Sequence, residues 1–297
     1  MYSNDKKCAP NKKYIDGSCF TIDSLKIIAE EYNKINNVKT IEDYIDINND
    51  KADMVKQITK ALSKSCSNQI CWLRTDIIKN IDNKDIHENT FRPEGPSTGY
   101  EWLSTTNIDD VINQYTHMYK DFLFLGAIPN DFEEVPILGL SNINFSNFVK
   151  NGKTKIGMVI NLDKHDESGS HWVALYTDLI NYKLYYFDSV GKKPGKRIKK
   201  FNNKILKYMY KTKIKKSINI NNFIKTIKNN KPSKYLDIFN GFDIRYNKIQ
   251  HQKKNSECGV YSINFILRLV KGESFDEITQ NITSDDQVNK CRNVYFR

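Results

Sequence analysis

The sequence lacks any run approaching the roughly 20 apolar residues that a membrane-spanning helix requires. Its opening, MYSNDKKCAPNKK, places no apolar stretch behind its charges, so a soluble, non-secreted protein is expected. Cysteine is scarce, 6 in 297 residues, which excludes a disulfide scaffold and makes a reducing compartment the expectation. Histidine is scarcer still: His87, His117, His165, His171 and His251 are the only imidazoles, so few arrangements can support proton transfer. One long stretch also lacks negative charge. Between Asp188 and Asp237 there is no acidic residue, while sixteen basic ones run from Lys192 to Lys234. The net charge of +11 is therefore the property of this segment, and the remainder is net negative. Such a segment is either a solvated face or a contact for a polyanion such as nucleic acid.

What is present is core material. Hydrophobic residues make up 39% of the chain and aromatics 12%, enough for one substantial domain with an accessory lobe. Leu25, Ile28, Ala29 and Tyr32 have helical spacing behind Thr21 or Asp23 as a cap, and Met54, Ile58 and Leu62 repeat the pattern. A third helix is expected near 70–81, giving a helical arm over 1–88. Phe91-Arg92-Pro93-Glu94-Gly95-Pro96 breaks the periodicity and reads as a boundary, followed by a helix over 107–117 entered through Thr106 or Asn107. Beyond Gly152 the character changes. Runs over 155–162, 171–177, 183–190 and 242–249 are rich in Val, Ile and Tyr and read as strands. An amphipathic helix over 194–210 and an apolar helix over 259–270 complete an α+β pattern, with 89–297 as the second domain.

A thiol nucleophile needs an imidazole to take its proton, and the imidazole needs a third group to orient it. His171 opens one strand and Asp188 closes the next. In a hairpin turning near 179–182, facing residue numbers total about 360, so His171 and Asp188 fall nearly opposite one another. Cys258 lies at the start of the apolar helix, where unpaired amides favour a thiolate. Those amides could also hold an oxyanion, with the Gln252 carboxamide, or that of Asn255, as a second donor. Cys8, Cys19, Cys66 and Cys71 lack C-x2-C spacing and have no histidine among them, so they are expected as unlinked thiols, with no metal and no cofactor. Asp285-Asp286 reads as helix N-terminal charge.

His171-Trp172, Asp188, Gln252 and Glu257-Cys258-Gly259, in that order, resemble the catalytic set of the adenain and SUMO-specific cysteine proteases. From Phe91 onward the chain is similar to the polyprotein-processing proteases of African swine fever virus and its relatives in other large DNA viruses, in which a helical arm precedes the catalytic domain. Those African swine fever enzymes carry Asn where this chain has Asp188. The resemblance implies a central mixed sheet flanked by helices and hydrolysis through an acyl-enzyme. Cys258 would attack, His171 act as base then acid, Asp188 orient His171, and Gln252 with the Cys258 amide hold the oxyanion. Trp172 would narrow the channel so that Gly-Gly-type sequences pass. The implied substrate is a viral structural polyprotein with Gly-Gly-X sites, processed in the virion or at assembly sites in the host cytoplasm. The alternatives are a protease acting on ubiquitin-like conjugates and a non-catalytic DNA-binding virion protein. The resemblance leaves the oligomeric state open.

Overall fold

The computed structural model describes residues 16–35, 44–66, 69–72, 75–83, 86, 92–214, 222 and 241–296. Chain packing divides it into two compact units, Met1–Pro93 and Glu94–Arg297. Among the described residues no helix is long and apolar enough to cross a membrane.

The first unit is helical in its described parts: α1 (Ile22–Ile35), α2 (Lys51–Leu62), α3 (Gln69–Trp72) and α4 (Asp76–Lys79). Thr21 begins α1 by accepting the Ser24 amide at 3.1 Å, and Asp50 caps α2. Leu25, Ile28, Met54, Ile58, Trp72 and Ile78 share its core, where Phe20 stacks on Trp72. The single helix expected over 70–81 is two short ones. Thr75 interrupts it by donating to the Trp72 carbonyl and accepting the Ile78 amide, which starts a new helix. A second correction concerns the thiols: Cys19 and Cys66, both buried, are disulfide-bonded. A scarcity of cysteine excludes a scaffold, but it does not exclude isolated cross-links in a small core with limited apolar area. Cys8, His87 and Phe91 lie outside the described residues, as do the side chains of Cys71 and His117.

The second unit is a mixed sheet between two helical layers. Its strands are β1 (Phe122–Pro129), β2 (Lys155–Asn161), β3 (Trp172–Asp178), β4 (Lys183–Phe187) and β5 (Asp243–Tyr246), hydrogen-bonded in that order. The β1/β2 and β4/β5 pairs are parallel and the central pairs antiparallel. The helices are α5 (Thr105–Met118), α6 (Phe145–Lys150), α7 (Lys196–Ile214), α8 (Cys258–Val270), α9 (Phe275–Thr279), α10 (Asp285–Asn289) and α11 (Arg292–Tyr295). Alternation along β3 explains both layers. Trp172, Ala174 and Tyr176 face a core shared with α5 and α8, whereas Val173 and Leu175 face one shared with α6 and α7. Every residue of β3 is buried, which is why the strand reads as a continuous apolar run.

Sequence patterning did not anticipate β1. Its FLFLGAIP run is broken by a register shift between Phe124 and Ala127, where Gly126 adopts φ 108° and the Ala127 amide turns to Asp109 instead of the ladder. The cap of α5 is Ser104, in a reciprocal box with Asn107, two or three residues before the expected start. On the α8 side, Gly157 admits the helix closely: a Cβ there would lie 3.0 Å from the Phe122 ring and 3.1 Å from Ile266. Gly157→Val should therefore lower stability by about 1–3 kcal/mol, read as a reduced urea midpoint at unchanged slope.

Candidate active site

The β3–β4 hairpin sets the first two groups. Ala174 faces Phe187 in the ladder, one residue away from the expected register, and this leaves His171 and Asp188 just past its paired end. The His171 carbonyl accepts the Leu162 amide at 2.9 Å, which holds its backbone to the end of β2. Its Nε2–H donates to Asp188 Oδ1 at 2.8 Å. Asp188 is buried, and its Oδ1 also accepts the Val190 amide at 2.9 Å.

Two further residues hold the carboxylate from the backbone side. Buried Asn247, immediately after β5, accepts the Asp188 amide at 2.8 Å and donates to the Asp188 carbonyl at 2.7 Å. Gly191 (φ 76°) closes the turn by donating to the Asp188 carbonyl, and a Cβ there would sit 3.1 Å from the Lys248 carbonyl. Nothing in its local sequence marks the role of Asn247 at the site, because Asp188, which it grips, is 59 residues away; its side chain otherwise donates to the Ile249 carbonyl at 3.0 Å.

Cys258 is the first residue of α8, one earlier than the expected start, and is a buried free thiol. Amides of a first helical turn have no intrahelical acceptor, so this sulfur lies where negative charge is favoured. Burial alone would lower the affinity of His171 for its proton. Hydrogen bonding and negative charge from Asp188 and Cys258 outweigh it and raise the imidazole from its ordinary 6.5 to about 9. The structure thus brings Cys258, His171 and Asp188 together.

Gln252 lies at the same end, in the loop before α8. Its Oε1 accepts from Ser189 Oγ at 2.6 Å and its Nε2 donates to the Lys254 carbonyl at 2.6 Å, which fixes the plane of the carboxamide. Asn255, the rival, is exposed. Asp285, expected only as helix charge, accepts the Lys253 and Lys254 amides at 2.9 and 3.1 Å and so anchors the loop that carries Gln252. Two other described histidines are held by other partners. His251 is buried against Phe187, its ring bonded to the Thr279 carbonyl and the Thr283 amide. His165 pairs with Asp131 at 2.8 Å.

Trp172 is buried, and its Nε1 donates to the Leu103 carbonyl at 3.0 Å. It forms one wall of a cleft of about 530 Å3 whose other lining includes half-exposed Trp102, Leu103, His165 and Gly169. Since Trp172 follows His171 in the chain, this cleft adjoins the triad. A larger cavity of about 740 Å3 opens by β4, β5 and α7; His171, Asp188 and Cys258 line neither cavity, and Asn247, which grips Asp188, lines the larger. Sequence reasoning missed Trp102; the available signal was an aromatic two residues before the capping Ser104 of α5.

Residues 152–296 match the family described as the Ulp1 protease family, C-terminal catalytic domain. A protein of Acanthamoeba polyphaga mimivirus, a thiol protease by name, is 37% identical over 95% of this chain and 90% of its own length. A SUMO-1 cysteine protease of African swine fever virus (isolate Pig/Kenya/KEN-50/1950) is 22% identical over 82% of this chain and 88% of its own. The fold is that of the African swine fever virus protease crystal structure, with a TM-score of 0.58 at 18% identity, covering 98% of this chain and 95% of that one.

The raised imidazole fixes a pH dependence. Its proton is held more tightly in the folded than in the unfolded chain, so the associated stability is complete below about 6.5 and is lost as pH rises through about 9. Urea titrations of wild type across that window should show the decline, and His171→Gln should flatten it. The alkaline limb of kcat/KM should lie near 9, not near the ordinary imidazole value of 6.5.

Proposed function

From the premise that this chain belongs to the Ulp1 protease family and is a cysteine protease, we propose that it cleaves peptide bonds that follow two small residues of the Gly-Gly type, maturing viral structural polyproteins. The observation that carries the reading is one imidazole acted on by a carboxylate on one side and a thiol at a helix mouth on the other.

The geometry supports the following roles. Cys258 attacks the scissile carbonyl as thiolate, with His171 holding the proton as imidazolium. His171 then gives that proton to the leaving amine, and takes one from water when the acyl-enzyme is hydrolysed. Asp188 accepts from Nε2–H throughout and so keeps the other ring nitrogen for the sulfur side. The Cys258 amide and the second Nε2 hydrogen of Gln252 receive the oxyanion, the first hydrogen being engaged by Lys254.

Selectivity is assigned to the aromatic cleft. Two indoles lining one groove would exclude a Cβ where they flank the substrate backbone, which favours glycine. The same cleft would accept the tail of a ubiquitin-like conjugate. A free peptide and a ubiquitin-like fusion, compared at equal concentration, separate the two, since a deconjugase depends on the globular surface. We assign a further role to the basic segment. Exposed Lys192, Lys193, Lys196, Lys207 and Lys211 form a face for a polyanion, while Arg197 and Lys204 are paired with Glu134 and Glu133. Most of the segment beyond Ile214 lies outside the described residues.

Cys258→Ala should abolish cleavage of a Gly-Gly-X peptide while leaving circular dichroism unchanged; turnover equal to wild type would refute the assignment. Trp102→Ala should reduce the preference for Gly over Ala before the cut by about tenfold or more, as expected for one methyl group in a fitted site. That ratio is measured by mass spectrometry of products from paired peptides.

A further inference from the structure

The molecule contains one fully buried ion pair among its described residues, and it is adjacent to the nucleophile. Glu257, the residue before Cys258, and Arg292, at the start of α11, both have wholly buried side chains. Arg292 Nε donates to Glu257 Oε2 at 3.1 Å and Nη2 to Oε1 at 2.8 Å, a two-point fork. The same guanidinium reaches the carbonyls of Pro96 and Glu101. Asn289, one turn earlier in the chain, donates to the Gly99 carbonyl at 2.6 Å and to Glu257 Oε1 at 3.4 Å. The C-terminal helices therefore hold the 96–101 segment at three carbonyls. Phe296 extends the grip: a Cβ on Gly95 would strike its ring.

The held segment leads directly into the cleft wall. Trp102 and Leu103 follow Glu101, and the Leu103 carbonyl receives the Trp172 indole. The Leu103 side chain lies against α8 at Gly259, where a Cβ would come within 3.0 Å of it. One guanidinium thus spans two parts of the site: through Glu257 it reaches the residue carrying the sulfur, and through 96–101 the residues lining the groove. A buried ion pair is a poor source of stability, because desolvation offsets most of its attraction. An apolar pair of similar volume would fill the space equally well, yet it could not fork to a carboxylate and two carbonyls at once.

We propose that Arg292 is a positioning residue for the reaction, its buried fork to Glu257 and to the 96–101 carbonyls fixing the Cys258 thiol relative to the Trp102–Leu103 wall. The inference rests on the cysteine protease reading with Cys258 as nucleophile. Its signature is a loss in kcat that exceeds both the change in KM and any loss of folding, since a displaced nucleophile affects the transition state more than ground-state binding.

The test compares wild type, Arg292→Lys, Asn289→Ala and the double variant Glu257→Met/Arg292→Met on a Gly-Gly-X peptide, with melting temperature recorded for each. Arg292→Lys keeps the charge and loses the fork, and should lower kcat about 10- to 100-fold with KM changed by less than about threefold. Asn289→Ala removes only the outer donor, should fold as wild type and should lower kcat about three- to tenfold. The double variant removes both charges; its melting temperature should match or exceed wild type while kcat stays low. Wild-type kcat in Arg292→Lys, or in a well-folded double variant, would overturn the proposal and leave a merely structural ion pair. If Arg292→Lys or the double variant fails to fold, Asn289→Ala decides, and an unchanged kcat there also overturns it. Those outcomes presuppose that wild type cleaves and Cys258→Ala does not. A wild-type protein inert on every peptide would instead refute the protease reading itself.

Discussion

One imidazole hydrogen-bonded on one side to a carboxylate and on the other to a thiol is the constraint around which the second unit is organised. His171 can remain charged in a buried setting only because Asp188 and Cys258 supply negative charge and hydrogen bonds on either side. Each partner is itself supported by tertiary structure. Asn247 and Gly191 hold Asp188 from its backbone, the fully buried strand β3 sets the position of His171, and the start of α8 sets that of Cys258. Burial by itself would favour the neutral imidazole, so the raised proton affinity depends on the Asp188 and Cys258 contacts that these elements position.

The sheet supplies rigidity where the chemistry needs it. Two apolar layers cover its faces, and His171, Asp188 and Cys258 sit where β3 begins, β4 ends and α8 begins. Loops complete the site and are pinned at identifiable points: Asp285 holds the Gln252 loop, and the buried Glu257–Arg292 pair involves the residue before Cys258. The cleft with its two tryptophans includes the residue after His171, while the larger cavity is lined by β4, β5 and α7.

Elements with strong periodicity or long apolar runs were legible in the sequence. Helices α1, α2, α7 and α8 and strands β2 to β4 lie within a few residues of expectation, because burial on a fixed period leaves a direct mark on residue order. The misses have local causes. A bulge at Gly126 obscured β1, and a hydroxyl at Thr75 divided a helix whose apolar spacing looked continuous. The disulfides at Cys19 and Cys66 were not readable, since cysteine spacing carries no information on which side chains meet in a helical core.

The sequence by itself determined the chemical types at the site and their order: an imidazole at a strand start, a carboxylate at the end of the next strand, a carboxamide, and a sulfur at a helix mouth. Local rules suffice for this, because strand period and hairpin pairing act over a few residues. Only the tertiary structure decided what surrounds them. Asn247 gripping Asp188, Trp102 facing the same cleft as Trp172, and Arg292 reaching back to the 96–101 carbonyls join residues that are distant along the chain. No local pattern encodes such contacts, since they exist only once both helical layers have closed on the sheet.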